Sequence, residues 1–166
     1  PRRCGAVRRE TAGLCGMGAE LKVARAALHY WEEPCISGRD GSGTVFFSGC
    51  TLRCVFCQNR EISAGGFGQA ISVERLREVF RELEAAGASN INLVSPTQFA
   101  PWIALALEEV PGIPVVWNTG GYERVETLRL LEGKVQIYLP DLKYVSAKWS
   151  RRCSGAADYF TWAAPA

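Results

Sequence analysis

Apolar residues along this chain alternate between short dense runs and longer stripes spaced three and four apart, and that alternation sets out its elements. Residues 44–48 are β-branched and aromatic and predict a buried strand. A cysteine-bearing loop and a glycine-rich turn at 64–68 follow. Ser72 then stands as an N-cap, with Val73, Leu76, Val79, Phe80 and Leu83 at helical spacing and Gly87 as the stop. Residues 91–94 predict a second strand and 101–110 a second helix. A third strand is expected at 113–117 with a helix at 123–131, and a fourth at 135–139 with a helix from Ser146 onward. Strands alternating with helices imply right-handed β-α-β crossovers and a parallel sheet. Upstream, residues 24–31 alternate in polarity and carry His29, which reads as structural.

In parallel α/β folds, ligands bind where the chain leaves the carboxyl ends of the strands. Each predicted exit here carries an unusual cluster: Cys50, Cys54 and Cys57 after the first strand, Ser95-Pro96-Thr97 after the second, Asn118-Thr119-Gly120-Gly121 after the third, and Asp141-Leu142-Lys143 after the fourth. Ser95 or Thr97 could equally cap a helix, and the Asn-Thr-Gly-Gly run could be a plain turn. Asp141 and Lys143 alternate, so on an extended segment they point to one side, either paired with each other or turned to a ligand.

Composition narrows the class. The 166 residues are 48% hydrophobic and 22% charged, which suits an ordinary globular core. A net charge of +2 gives no signal for nucleic acid or an anionic membrane. No apolar run approaches the roughly 20 residues of a spanning helix. The grouping of the seven cysteines favours thiols in a reducing cytoplasm over disulfides. The chain opens on Pro1 without an initiator methionine and stops just after a new element begins, so both ends are expected to be cut.

The chemistry lies in the C-x-x-x-C-x-x-C array of Cys50, Cys54 and Cys57. Three thiolates from one loop can hold three irons of a cubane cluster and leave the fourth open, whereas electron-transfer clusters are usually closed by a further cysteine. A structural zinc site wants a full tetrahedral set, and the only histidine, His29, lies well upstream. A dithiol pair of Cys54 and Cys57 leaves Cys50 unexplained.

This array, with Phe56 before the last cysteine and Gln58-Asn59 after it, resembles the radical S-adenosylmethionine (SAM) superfamily. Residues 38–59 look most like the branch named for the pyruvate formate-lyase activating enzymes. The resemblance implies a partial parallel (β/α) barrel, with the first four β-α units present in residues 36–166 and a cysteine-containing extension in 1–35. It implies a 4Fe–4S cluster on Cys50, Cys54 and Cys57, and SAM bound at the open iron. Reductive cleavage of SAM would give methionine and a 5′-deoxyadenosyl radical for hydrogen abstraction. Phe56 is expected to pack on the adenine, with Gln58 and Asn59 at the cluster's edge. Ser95 and Thr97 stand where the family commonly has a Gly-Gly-Glu segment for the SAM amino group, but the glutamate is missing. Asn118 and Thr119 are expected near the cofactor. Asp141 and Lys143 match an Asp-x-Lys pattern of the activating-enzyme branch, with Lys143 suited to the SAM carboxylate. Implied partners are a reduced flavodoxin or ferredoxin and a glycyl-radical enzyme. Another peptide, an RNA or a small molecule stays open as the substrate, as does a non-catalytic metal-binding module. Cys4 and Cys15 read either as half of a second metal site or as plain buried thiols. Cys35 and Cys153 are not expected to be ligands.

Overall fold

The computed structural model describes residues 1–166. In chain order its elements are β1 (Leu21–His29), α1 (Pro34–Ser37), β2 (Ser42–Phe47), α2 (Arg60–Ser63), β3 (Gln69–Ile71) and α3 (Val73–Ala85). There follow β4 (Ile91–Val94), a 3-10 turn (Thr97–Phe99), α4 (Ala100–Ala106), β5 (Val115–Thr119), α5 (Val125–Arg129), β6 (Ile137–Pro140), α6 (Ala147–Ser154) and α7 (Tyr159–Ala163). One six-stranded sheet runs in the order β3-β1-β2-β4-β5-β6. β2, β4, β5 and β6 pair in parallel, each followed by helix, and these are the four expected β-α units of a partial radical SAM-type barrel. β1 joins β2 antiparallel and β3 joins β1 antiparallel, so residues 21–29 of the N-terminal segment belong to the sheet. No helix is long and apolar enough to cross a membrane.

Alternation along the parallel strands builds the core. Val45 and Phe47, Ile91 and Leu93, and Val115 and Trp117 recur at every second position and therefore share one face. That face packs on Leu76, Phe80 and Leu83 of α3 and on Ile103 of α4, joined by Phe99 and Leu107. Trp117 is fully buried, and its truncation to alanine would cost about 3–5 kcal/mol. The opposite face is more polar: the register aligns Thr44 with Asn92, and Phe46 with Val94 and Asn118. Asn92 there donates from Nδ2 to Glu32 Oε2 at 2.8 Å.

The Ser72 cap forms as expected, its Oγ accepting from the Arg75 N–H at 3.0 Å. Gly87 ends the helix with φ at +87°, where a side chain would be strained, and the Ala88 N–H returns to the Leu83 carbonyl at 3.1 Å. Other boundaries move. The third strand starts at Val115 because Pro114 has no N–H for the ladder, and it runs on through Asn118 and Thr119 to pair with Leu139 and Pro140. The fourth starts at Ile137 because the Val135 N–H turns back to the Leu131 carbonyl. The second helix ends at Ala106 instead of continuing to 110. The third begins only at Val125, because the Glu123 N–H is taken by Gly121 and its side chain turns inward.

Candidate metal and cofactor site

Parallel pairing brings the carboxyl ends of β2, β4, β5 and β6 to one edge of the sheet, and the polar clusters gather there. The cysteine loop leaves β2 and is pinned by its backbone. Gly49 donates to the Ile62 carbonyl at 2.9 Å, Cys50 to Cys15 at 3.3 Å, and Val55 to Cys153 at 2.9 Å. Each of the three sulfurs has a donor of its own. The Leu52 N–H points to Cys50 Sγ at 3.4 Å, the Ser154 hydroxyl to Cys54 Sγ at 2.9 Å, and the Ser63 hydroxyl to Cys57 Sγ at 3.3 Å. Donors aimed at sulfur orient it and support the charge of a metal-bound thiolate.

Burial pushes the Cys50 thiol up, opposed by backbone donors at Arg53 and Leu52, and the nearby Cys54 and Cys57 add like-charge repulsion. A positively charged metal centre offsets both the burial and the repulsion. No three His, Cys, Asp or Glu side chains converge tightly enough to hold a single metal ion. Thiolates that each bind a different iron of a cluster stand wider apart than ligands of one ion. Three soft donors with hydrogen-bonded sulfurs fit such a cluster.

A second apolar cluster holds this loop against the other exits. It comprises Leu52, Cys54, Tyr122, Ala156 and Tyr159, with Cys50, Cys57, Tyr144 and Trp162 packed against it. Tyr122 stacks on Tyr159 at 5.8 Å. The Tyr159 hydroxyl lies 2.8 Å from the Gly120 carbonyl and 2.7 Å from that of Asp141, and accepts from the Lys143 N–H at 2.9 Å. One phenol thus fastens the β5 exit to the β6 exit. Gly121 sits in the crossing at φ +71°, where a Cβ would come within 2.7 Å of the Asp141 carbonyl. A Cβ on Gly120 would meet Leu52 Cδ1 at 2.9 Å and Lys143 Cε at 3.3 Å, so cysteine loop and lysine stem converge on that glycine.

At the β4 exit, Ser95 carries φ +54°, a strained conformation for a residue with a side chain. Its N–H donates to the Asn118 carbonyl at 3.0 Å. Gln98 Nε2 lies within hydrogen-bond distance of the Ser95, Ser48 and Gly49 carbonyls, at 2.7, 2.9 and 3.0 Å, which ties β4 to the start of the cysteine loop. Neither Ser95 nor Thr97 caps the following turn. The Thr97 hydroxyl donates instead to Glu123 Oε1 at 2.5 Å.

Glu123 is the group that sequence reasoning missed. It is 2% exposed, and its Oε1 also accepts from the Thr119 hydroxyl at 2.6 Å and Trp117 Nε1 at 3.3 Å. Its Oε2 is buried and has no partner. Burial pushes its carboxyl above the ordinary range, against the pull of Thr119, Thr97, Trp117 and the more distant Pro1 ammonium. The available signal was a carboxylate straight after the Gly120-Gly121-Tyr122 exit, where it passes for an ordinary first-turn helix acid.

Asp141 and Lys143 pair with each other, Nζ to Oδ2 at 2.5 Å, with Asp141 open to solvent and Lys143 largely covered. Burial pulls the Lys143 ammonium down, but the bond and charge of Asp141 carry it above its usual value. Asn118 is half-buried, and Thr119 stands 3.4 Å from Thr97. Phe56, Gln58 and Asn59 all face solvent, Phe56 with its ring 6.3 Å from Tyr144. The Asn59 carbonyl receives the Ile62 and Ser63 N–H groups that start α2. The structure therefore keeps the three thiols on one loop against one apolar cluster, and joins Ser95 to Asn118, Thr97 to Thr119 and Asp141 to Lys143. It leaves Phe56, Gln58 and Asn59 on the rim.

Outside the mouth, the Cys4 and Cys15 sulfurs flank Gly13, at 3.4 and 3.5 Å from where its Cβ would stand. Cys35 is exposed on α1, and His29 meets Phe46 edge-on at 6.1 Å. Clefts of about 260 and 390 Å³, beside Arg77 and Glu109 and beside Leu21 and Trp102, hold none of the clustered groups.

A family model described as the Radical SAM superfamily matches residues 44–160, from β2 through the start of α7. The chain belongs to the radical SAM superfamily. It is also 32% identical over 168 aligned residues to a Methanocaldococcus jannaschii protein described as uncharacterized protein MJ0674. That alignment takes in 95% of this chain and 48% of the relative, so the chain spans about half the relative's length.

Proposed function

We propose that the protein is the cluster-bearing part of an enzyme that cleaves SAM reductively. The observation that carries this is the cysteine loop: three thiols at the β2 exit of a radical SAM sheet, each sulfur facing its own donor. A bound 4Fe–4S cluster together with SAM supplies reductive cleavage of a sulfonium carbon–sulfur bond, and hence hydrogen abstraction from a substrate. Cys50, Cys54 and Cys57 would hold that cluster. Leu52, Tyr122 and Tyr159 back the loop with buried apolar surface, which would keep water from that side of a bound cluster. Lys143 would receive the SAM carboxylate and Phe56 the adenine, while Ser95, Thr97, Asn118 and Thr119 shape the wall between them.

Anaerobic reconstitution with iron and sulfide tests the reading. A brown protein that releases 5′-deoxyadenosine and methionine on reduction supports it, and a colourless protein with stoichiometric zinc overturns it. The finer reading, resting on residues 38–59, is that the intact enzyme takes electrons from a reduced flavodoxin or ferredoxin and installs a glycyl radical on a partner. A glycyl-radical signal by electron paramagnetic resonance, appearing only with SAM and reductant, is the corresponding check. A signal on some other peptide, RNA or small molecule assigns the alternative substrate.

A further inference from the structure

Residues 1–18 form neither helix nor strand, and of their side chains only Cys15 and Met17 are buried. An arm that buries so little apolar surface gains little to offset the entropy of ordering its backbone. It nonetheless follows a defined path. Arg2 reaches the Thr51, Ser154 and Gly155 carbonyls, and Arg8 reaches that of Gln98 at 2.6 Å. Further along, the Cys15 carbonyl receives the Cys50 N–H, so the course of the arm bears directly on the cysteine loop.

Two cysteines within the arm are built alike. Each is followed by a glycine in the left-handed region, Gly5 at φ +66° after Cys4 and Gly16 at φ +82° after Cys15, a turn that glycine takes without strain. At Cys4 the Ala6 and Leu14 N–H groups close on the sulfur, and with the Arg8 charge they hold the thiol below its usual range. Arg8 Nη2 also lies 4.0 Å from Cys15 Sγ, so one guanidinium stands near both sulfurs. The sulfurs themselves lie 3.4 and 3.5 Å from where a Gly13 Cβ would stand. Both therefore line one gap, which glycine keeps clear.

A plain thiol does not account for Cys4. Free cysteine packs as a small buried apolar residue, and Cys4 is exposed. A disulfide would use both sulfurs, but it carries no charge for the N–H groups and the guanidinium to meet. A pair of metal-bound thiolates keeps that charge and its donors. It also cross-links the arm, closing the loop between Cys4 and Cys15.

We propose that Cys4 and Cys15 bind a zinc ion, at a metal site separate from the three cysteines of the β2 exit, and that this ion staples the N-terminal arm against the cysteine loop. Zinc suits the donors, since it takes thiolate sulfur at about 2.3 Å and brings no redox chemistry to a structural position. Binding displaces the two thiol protons to solvent. The two remaining positions of a tetrahedral ion stay open to water or to donors other than these cysteines. The assignment does not rest on SAM cleavage at the mouth.

Anaerobic native mass spectrometry of the full chain, reconstituted with iron and sulfide and then given zinc, tests it. The unaltered protein carries a cluster and a single zinc. Cys4→Ser and Cys15→Ser each lose the zinc and keep the cluster, while Cys35→Ser and Cys153→Ser keep both. Trypsin gives a second readout, because exposed Arg9 lies in the loop that the ion closes. Zinc slows cleavage after Arg9 in the unaltered protein and not in Cys4→Ser, a change at an exposed position. A cluster-loaded unaltered protein that takes up no zinc overturns the proposal, whether its arm thiols are free or joined as a disulfide. Zinc retained by both Cys4→Ser and Cys15→Ser overturns it as well. Zinc that leaves only with Cys54→Ala belongs to the cysteine loop, and overturns the proposed function together with this site. Zinc held through Cys4 and Cys15 by a protein that assembles no cluster supports the arm site and overturns the proposed function alone.

Discussion

The Ser154 hydroxyl lies 2.9 Å from the Cys54 sulfur, joining the last residue of α6 to the cysteine loop across 100 positions of chain. Ser154 is buried, and Tyr144 stands behind it with its phenol oxygen 2.7 Å from the serine oxygen. A donor on a ligating sulfur stabilises the more negative, reduced state of a cluster, so its removal lowers the potential. Ser154→Ala is expected to assemble a cluster with unchanged iron content and a reduction potential shifted downward. Potentiometric titration followed by electron paramagnetic resonance reads the shift, and an unmoved potential would show that the serine only fills space.

The thiols give a sharper contrast. Cys50→Ala, Cys54→Ala and Cys57→Ala should each abolish the open-iron signal and SAM cleavage together, because three ligands leave none to spare. Cys35→Ala should leave both intact, since Cys35 is exposed on α1. Cys153→Ala should do the same, because Cys153 supports the loop through its carbonyl, which accepts the Val55 N–H at 2.9 Å. Full SAM cleavage by Cys54→Ala would sink the cluster assignment.

Lys143 is largely covered while its partner Asp141 is open to water, so the lysine is the better-placed member of the pair to meet a ligand. Lys143→Ala should leave cluster assembly unchanged and weaken SAM binding. Loss of a hydrogen bond to a charged group costs about 1.5–3 kcal/mol, or roughly 10- to 150-fold in affinity. Unchanged SAM affinity with a lowered melting temperature would assign the pair to structure alone.

The parallel units were legible because their evidence is local. The dense run around Val45 and Phe47 and the stripe of Leu76, Phe80 and Leu83 both report burial on a defined face. β3 was not legible: it has three residues, two of them exposed, and pairs through its backbone without leaving a pattern of side chains. Strand ends slipped for a related reason, since Asn118 and Thr119 continue the β5 ladder although they are polar. At the site, three thiols on one short loop announce themselves by spacing. Their donors Ser63 and Ser154 do not, because contacts of this kind are set by tertiary folding. Glu123 was hidden by its neighbours, reading as a helix-opening acid while its inward turn delays α5 to Val125.

That inward turn gives Glu123 a signature in stability. Burial raises its carboxyl above the ordinary range, more than Thr119, Thr97, Trp117 and the Pro1 ammonium lower it. At low pH both folded and unfolded chains hold the proton, and the group adds no penalty. As pH climbs past the ordinary carboxyl value, the unfolded chain ionises first, so unfolding is favoured and stability falls until the folded group ionises too. Above that point the deficit is constant. Glutamine does not titrate, so the melting temperature of ligand-free Glu123→Gln, relative to the unaltered protein, should rise with pH from about 5 toward 8. Thermal melts of both proteins across that range measure the trend. A difference that stays flat with pH would mean that the carboxylate carries no buried charge, and the stability cost argued for it would be wrong.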